Sequence, residues 1–122
     1  MKIWFALAGS LLLTLSALAQ EQQVASIDAG IGPCKAEFRV TDEAGKPVFD
    51  AKVHTLIKYG AFGIRKTELT VGTNSEGIAR ITGLPDFNKR PIVFDVTKEG
   101  KRWERKFEPG ENCQPKYDVS LK

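Results

Sequence analysis

The sequence predicts an all-β domain, a seven-stranded antiparallel sandwich with one disulfide, and three observations carry that expectation. Apolar residues recur with a period of two from Lys35 onward, and no stretch sustains a helical period. Glycine, proline, asparagine and aspartate divide the alternating runs into short lengths of the kind a sandwich uses. Two cysteines, Cys34 and Cys113, flank the first and last of these runs.

Ahead of the domain, Lys2 precedes an apolar run from Ile3 to Leu15, which is followed by Ala17-Leu18-Ala19. Charge, apolar core and Ala-x-Ala in that order predict a secretory signal peptide over residues 1–19, cleaved after Ala19. The apolar stretch is shorter than the roughly 20 residues that cross a bilayer, which argues against an uncleaved anchor, and no second long apolar run follows it, so no stable membrane insertion is expected once it is removed. A secreted or periplasmic location follows. Residues 20–33 mix Gln, Ser, Asp and Gly without a sustained period and read as a flexible N-terminal segment, leaving 34–122 as one small domain. Net charge over the whole chain is +3, one unit of which belongs to Lys2. That balance gives no general attraction to nucleic acid or to anionic membranes, and any basic function has to be local.

The first strand puts Ala36, Phe38 and Val40 on a buried face, opposite Lys35, Glu37, Arg39 and Thr41, and Asp42 to Pro47 turns the chain. Val53, Thr55, Ile57 and Tyr59 share the inner face of the second strand, with Lys52, His54, Leu56 and Lys58 outside, and Gly60 and Gly63 end it in a hairpin tip. From Ile64 to Val71 alternation breaks, because Ile64 falls on the opposite parity from Leu69 and Val71, which predicts an edge strand or a bulge. Thr73 to Gly77 is a turn, Ile78 to Thr82 a fourth strand, and Gly83 to Arg90 a longer loop. Pro91 to Thr97 and Lys101 to Phe107 form a hairpin about Glu99-Gly100, and a last strand buries Tyr117, Val119 and Leu121.

An exported chain meets an oxidising compartment, so Cys34 and Cys113 are expected to pair. Strand parity agrees. With seven strands reversing at every turn, the first and the seventh run the same way and begin at the same end, which brings the cysteines within disulfide reach if those two strands are parallel neighbours.

Two stretches add a resemblance. Val40-Thr41-Asp42-Glu43-Ala44-Gly45-Lys46-Pro47-Val48-Phe49-Asp50-Ala51-Lys52-Val53 is similar to the strand, Asp-x-x-Gly-x-Pro-Val turn and Ala-x-Val strand of the carboxypeptidase regulatory-like domains, in the transthyretin-like (prealbumin-like) group. Thr73 to Pro85 resembles that family's Thr-x-x-x-Gly strand followed by Leu-Pro. The resemblance implies a Greek-key sandwich of transthyretin-like or immunoglobulin-like form, used as an accessory or adhesive module. Whatever the family, Gly45 takes a positive φ at little cost and Pro47 presets φ before the chain re-enters the sheet.

Catalytic chemistry is hard to assemble from these residues. His54 is the single histidine, and Ser26, Ser75 and Ser120 stand in no Gly-x-Ser-x-Gly setting. The hydroxyisourate hydrolases of the transthyretin-like fold use several histidines and a C-terminal Tyr-Arg-Gly-Ser, whereas this chain ends Tyr117-Asp118-Val119-Ser120-Leu121-Lys122. No calcium-loop spacing and no phosphate-binding glycine loop are present. The expectation is therefore a chain without enzyme activity, cofactor or metal, which works by binding. Tyr59 and Phe62 at the glycine-flanked tip, and Trp103 and Arg105 on a basic strand where the guanidinium can stack on the indole, are the candidate binding residues. They suit a protein or envelope component first and a carbohydrate second.

Overall fold

A computed structural model describes residues 24–122, so the signal-like segment and the first part of the N-terminal segment lie outside the described residues. Eight strands follow in order: β1 (Ala25–Asp28), β2 (Cys34–Thr41), β3 (Lys52–Tyr59), β4 (Arg65–Gly72), β5 (Ile78–Leu84), β6 (Ile92–Lys98), β7 (Lys101–Phe107) and β8 (Lys116–Ser120). They form two four-stranded sheets, ordered β1-β5-β2-β8 and β4-β3-β6-β7, in a sandwich-like all-β fold.

The period-two pattern gives the core directly. Ala36, Phe38 and Val40 from β2, Val53, Thr55 and Ile57 from β3, and Phe94 and Val96 from β6 are all fully buried between the sheets. Thr55 is polar, but its hydroxyl donates to the carbonyl of Val93 at 2.9 Å. Thr73, also buried, donates to the Val48 carbonyl at 2.6 Å and accepts from the Ala51 amide at 2.9 Å. Both groups are thus satisfied, as a dry interior requires.

The expected turns hold by their predicted chemistry. Asp42 accepts from the amides of Ala44 and Lys46 at 2.9 and 3.0 Å, and Gly45 has φ of 82°. Asn74 accepts from the amides of Glu76 and Ile78 at 3.0 and 2.9 Å. Gly77 has φ of 78°, and a Cβ there would collide with the Val40 carbonyl, so this turn needs glycine for its backbone and for its packing. The β6–β7 hairpin closes through Glu99 and Gly100, both at positive φ, with Lys98 paired to Lys101.

Three expectations are corrected. The strand count is eight, because Ala25–Asp28, inside the segment read as flexible, pairs in parallel with β5. Four residues with Ile27 only partly buried are too short to produce a readable alternation, and the pairing is completed by Ala29 and Ile31 amides bonding to Thr82 and Gly83 at 2.8 Å. The sandwich is also not purely antiparallel: β1–β5 and β2–β8 are parallel, while the sheet β4-β3-β6-β7 is antiparallel throughout. Third, the expected break in the strand after the tip has a simpler cause than a bulge. Ile64 lies outside β4, which starts at Arg65 and pairs with β3 in unbroken register over eight residues. Its expected edge position is found, and the register shift occurs instead between Cys34 and Ala36, opposite β5.

The cysteine parity argument survives the extra strand because that strand precedes Cys34. β2 and β8 are parallel neighbours, and Cys34 and Cys113 form a disulfide with Cα atoms 4.9 Å apart.

Candidate functional site

At the end of the sandwich where β3 and β5 finish, two loops face each other. One is the tip between β3 and β4, a single 3-10 turn over Ala61–Gly63; the other joins β5 to β6. Asn88 ties them together: its side-chain amide donates to the Lys58 carbonyl at 2.9 Å and to the Arg90 carbonyl at 2.8 Å. Arg90 reaches across to donate to the Phe62 carbonyl at 3.2 Å, and its guanidinium occupies the space where Gly63 lacks a side chain. The result is a braced rim around an open cleft of about 800 Å³.

What this rim displays is unusual for a solvated loop. Phe62 is 88% exposed, Ile64 75% and Phe87 74%. Phe49 and Leu56, the other large exposed apolar residues among those described, stand elsewhere. Phe62 moreover has φ of 61° and ψ of 14°, a left-handed conformation that an aromatic residue adopts at a cost of roughly 1–2 kcal/mol. Neither packing nor backbone preference explains a phenylalanine there, and strain of this kind gathers at functional positions.

A stability measurement separates those possibilities. Phe62→Gly removes the left-handed strain of roughly 1–2 kcal/mol, offset by about 0.4–1 kcal/mol lost to the greater freedom of the unfolded chain. The expected outcome in urea denaturation is a stability unchanged or raised by up to about 1 kcal/mol. A clear loss would mean that the ring packs against the domain.

Charge at the rim is one-sided. Lys58, Arg65, Lys66, Lys89 and Arg90 are all exposed, and Asp86 is the single carboxylate within the two loops and their flanking positions 58–66 and 84–91. Among the described residues none of the five cations forms an ion pair, whereas Lys52, Arg80 and Arg102 elsewhere on the surface do, at 2.7 to 2.8 Å. Lys58 and Lys66 even face one another across the β3–β4 ladder, an arrangement that costs stability. On the adjoining loop after β7, Glu108 and Glu111 share a hydrogen bond that holds the Glu111 carboxyl above its usual range.

The four candidate binding residues divide into two places. Phe62 belongs to the rim, and Tyr59 lies at its base, partly buried against the core. Trp103 and Arg105 sit on the inner side of β7, where the domain opens between β7 and β8. There the Arg105 guanidinium lies 5.1 Å from the Trp103 ring centroid and 5.6 Å from that of Tyr117. The stacking of Arg105 on Trp103 read from the strand pattern is thus present, and it caps the core's open side. Burial pushes the Tyr117 phenol above its usual value, against the pull of Arg105. Trp103 pairs opposite Val96, four residues along β6 from Ile92 at the loop end, so Tyr59, Phe62 and Trp103 form no common stacking platform.

His54 lies on the outer face of β3, with Nε2 2.7 Å from Glu68 and Nδ1 3.5 Å from Asp95. Asp95 in turn receives Arg102 at 2.7 Å. No group of three or more His, Cys, Asp or Glu placed to hold a metal ion occurs among the described residues.

The sequence reading missed Ile64, Phe87, Asn88 and Arg90. The signal was present in Phe87-Asn88-Lys89-Arg90, an aromatic next to a basic run inside a proline-bearing loop, which matches the composition of the tip it meets.

No family model matches the chain, and no curated protein matches it. Solved structures resemble it weakly. Catechol 1,2-dioxygenase from Acinetobacter sp. ADP1, inhibited by bound mercury, is 11% identical with a TM-score of 0.47, covering 81% of this chain and 58% of its own. 3-Chlorocatechol 1,2-dioxygenase from Rhodococcus opacus 1CP gives 11% and 0.47, covering 77% and 63%. Hydroxyquinol 1,2-dioxygenase from Pseudomonas putida DLL-E4 gives 11% and 0.46, covering 82% and 62%. The chain therefore spans less than two thirds of each. These neighbours are enzymes, so the expectation of a chain without enzyme activity is corrected and withdrawn; at such identity and TM-score no particular reaction carries over from them.

Proposed function

We propose that this protein is an exported contact module of the cell envelope, engaging its partner through the rim formed by Lys58–Lys66 and Leu84–Pro91. The observation that carries the reading is the coincidence, at one end of the sandwich, of three exposed hydrocarbon side chains with five cations that have no ion-pair partner among the described residues. A solvated loop gains nothing from either feature, whereas a contact surface uses both. The strained backbone of Phe62 and the bracing by Asn88 and Arg90 support it, since a braced rim loses less conformational freedom on binding.

Export to an oxidising compartment is supported by the disulfide and by the signal-like order of residues 1–19. No helix among the described residues is long and apolar enough to cross a membrane. The two-sheet architecture and the turns at Asp42–Pro47 and Thr73–Gly77 are in keeping with a carboxypeptidase regulatory-like domain of the transthyretin-like group, a family reading that accords with a contact role.

A photo-crosslinking residue placed at position 62, and separately at position 103, tests the site in the native envelope. Adducts are expected from position 62 and not from position 103, where the side chain is engaged by Arg105 and Tyr117. Equal yields at the two positions, or none at 62, would overturn the assignment of the contact surface.

A further inference from the structure

We infer that the partner of this rim is a bilayer surface rich in anionic phospholipid, with Phe62, Ile64 and Phe87 entering the interfacial region and the surrounding cations at the level of the headgroup phosphates. The inference rests on the rim being the contact surface and adds the chemistry of what it meets.

The choice of side chains favours lipid over protein. Sites that bind proteins draw on tryptophan, tyrosine and arginine, whose polar groups find partners in a fitted pocket. Phe62, Ile64 and Phe87 carry hydrocarbon alone and stand 74 to 88% exposed, so they need only a medium that accepts hydrocarbon to a shallow depth. A headgroup layer backed by acyl chains is such a medium, and it imposes no shape on the partner side.

The charges agree with that placement. Lys58, Arg65, Lys66, Lys89 and Arg90 are exposed on the same two segments as the apolar tips, against Asp86 alone there. Repulsion between Lys58 and Lys66 is relieved when phosphates approach. Each cation near an anionic bilayer raises binding about fivefold, so five acting together turn a weak apolar contact into a stable peripheral one. Glu108 and Glu111, on the neighbouring loop, line a hollow together with Lys89 and Arg90, so the cations set apart from these carboxylates are those of the β3–β4 side, Lys58, Arg65 and Lys66. The contact is peripheral, since the tips are single side chains with no apolar segment behind them.

Flotation of the protein with vesicles of phosphatidylcholine, and with vesicles of equal parts phosphatidylcholine and phosphatidylglycerol, tests the inference. Binding is expected only to the second, and it should weaken as salt screens the phosphates. Phe62→Gly should lower the partition coefficient about tenfold or more, the effect of losing one buried phenyl ring, and Lys89→Gln about fivefold. Urea denaturation of Phe62→Gly, expected to show no loss of stability, separates a loss of binding from a folding effect; comparing variants of one length cancels any contribution of the apolar residues 3–15. Equal flotation with neutral vesicles, no flotation with anionic ones, or an unchanged Phe62→Gly would overturn the lipid inference. If position 62 then crosslinks to a protein, the contact surface stands and only the lipid is wrong; if position 62 crosslinks to nothing, both fall.

Discussion

Replacing Cys34 and Cys113 together by alanine is expected to lower the free energy of unfolding by about 4 to 5 kcal/mol, the loop-closure contribution of a crosslink of this span. The two residues are 79 positions apart, so the bond removes most of the conformational freedom of the unfolded domain. It also acts where the fold has most need of it. β2 and β8 are parallel neighbours from opposite ends of the domain, and β8 is a five-residue edge strand with a pairing partner on one side only. The disulfide lies at the start of that pairing, next to the Lys35 amide bonding to the Cys113 carbonyl at 3.0 Å. Small domains have about 5–15 kcal/mol in hand, so a loss of this size takes a large share of it. Alanine is the right replacement because Cys34 is fully buried and a serine hydroxyl there would add its own desolvation cost. Urea denaturation of the oxidised protein and the double variant measures the difference. A loss below about 1 kcal/mol would mean that the unfolded chain keeps its ends together without the bond.

Legibility in the sequence followed burial. Strands with one face inside, such as β2 and β3, alternate in burial, and their inner residues were readable from the period-two pattern, with β2 starting one residue earlier, at Cys34. β7 was readable through its hairpin partner and through the tight Glu99-Gly100 turn, although six of its seven residues are exposed or only partly buried. β1 was not, because a parallel edge strand held by backbone bonds to β5 needs little from its side chains. The same logic explains the site. Trp103, Arg105 and Phe62 carry local signals, an aromatic beside a cation or beside glycines, and could be singled out. Phe87 and Arg90 matter only because the chain brings their loop against the tip some 25 residues earlier in sequence, and no local pattern encodes that meeting. Charge compensation is equally nonlocal: Arg80 and Arg102 look like Lys89 and Arg90 in the sequence, yet the first two are paired across strands with Glu37 and Asp95.

Phe38→Ala is the substitution expected to cost most among single side chains, about 3–5 kcal/mol. Phe38 is fully buried on β2 and joins the two sheets: its ring centroid lies 5.0 Å from Phe94, 5.3 Å from Tyr117 and 6.4 Å from Trp103, with near-perpendicular planes toward Phe94 and Trp103. Such edge-on pairs add roughly 0.5–1.5 kcal/mol each beyond the area they bury. Truncation therefore removes burial, leaves a cavity that two rigid sheets cannot close, and deprives Trp103 and Tyr117 of the ring behind them. Arg105, which covers those two rings from the solvent side, would then cap a void. Phe38→Leu keeps most of the volume and should cost about half as much or less. Tryptophan emission reports the local consequence, since Trp103 is the only tryptophan among the described residues. A red shift in folded Phe38→Ala that is absent from Phe38→Leu would locate the damage at the aromatic cluster. Equal losses for the two variants would instead mean that ring geometry, and not volume, holds the sheets together at this point.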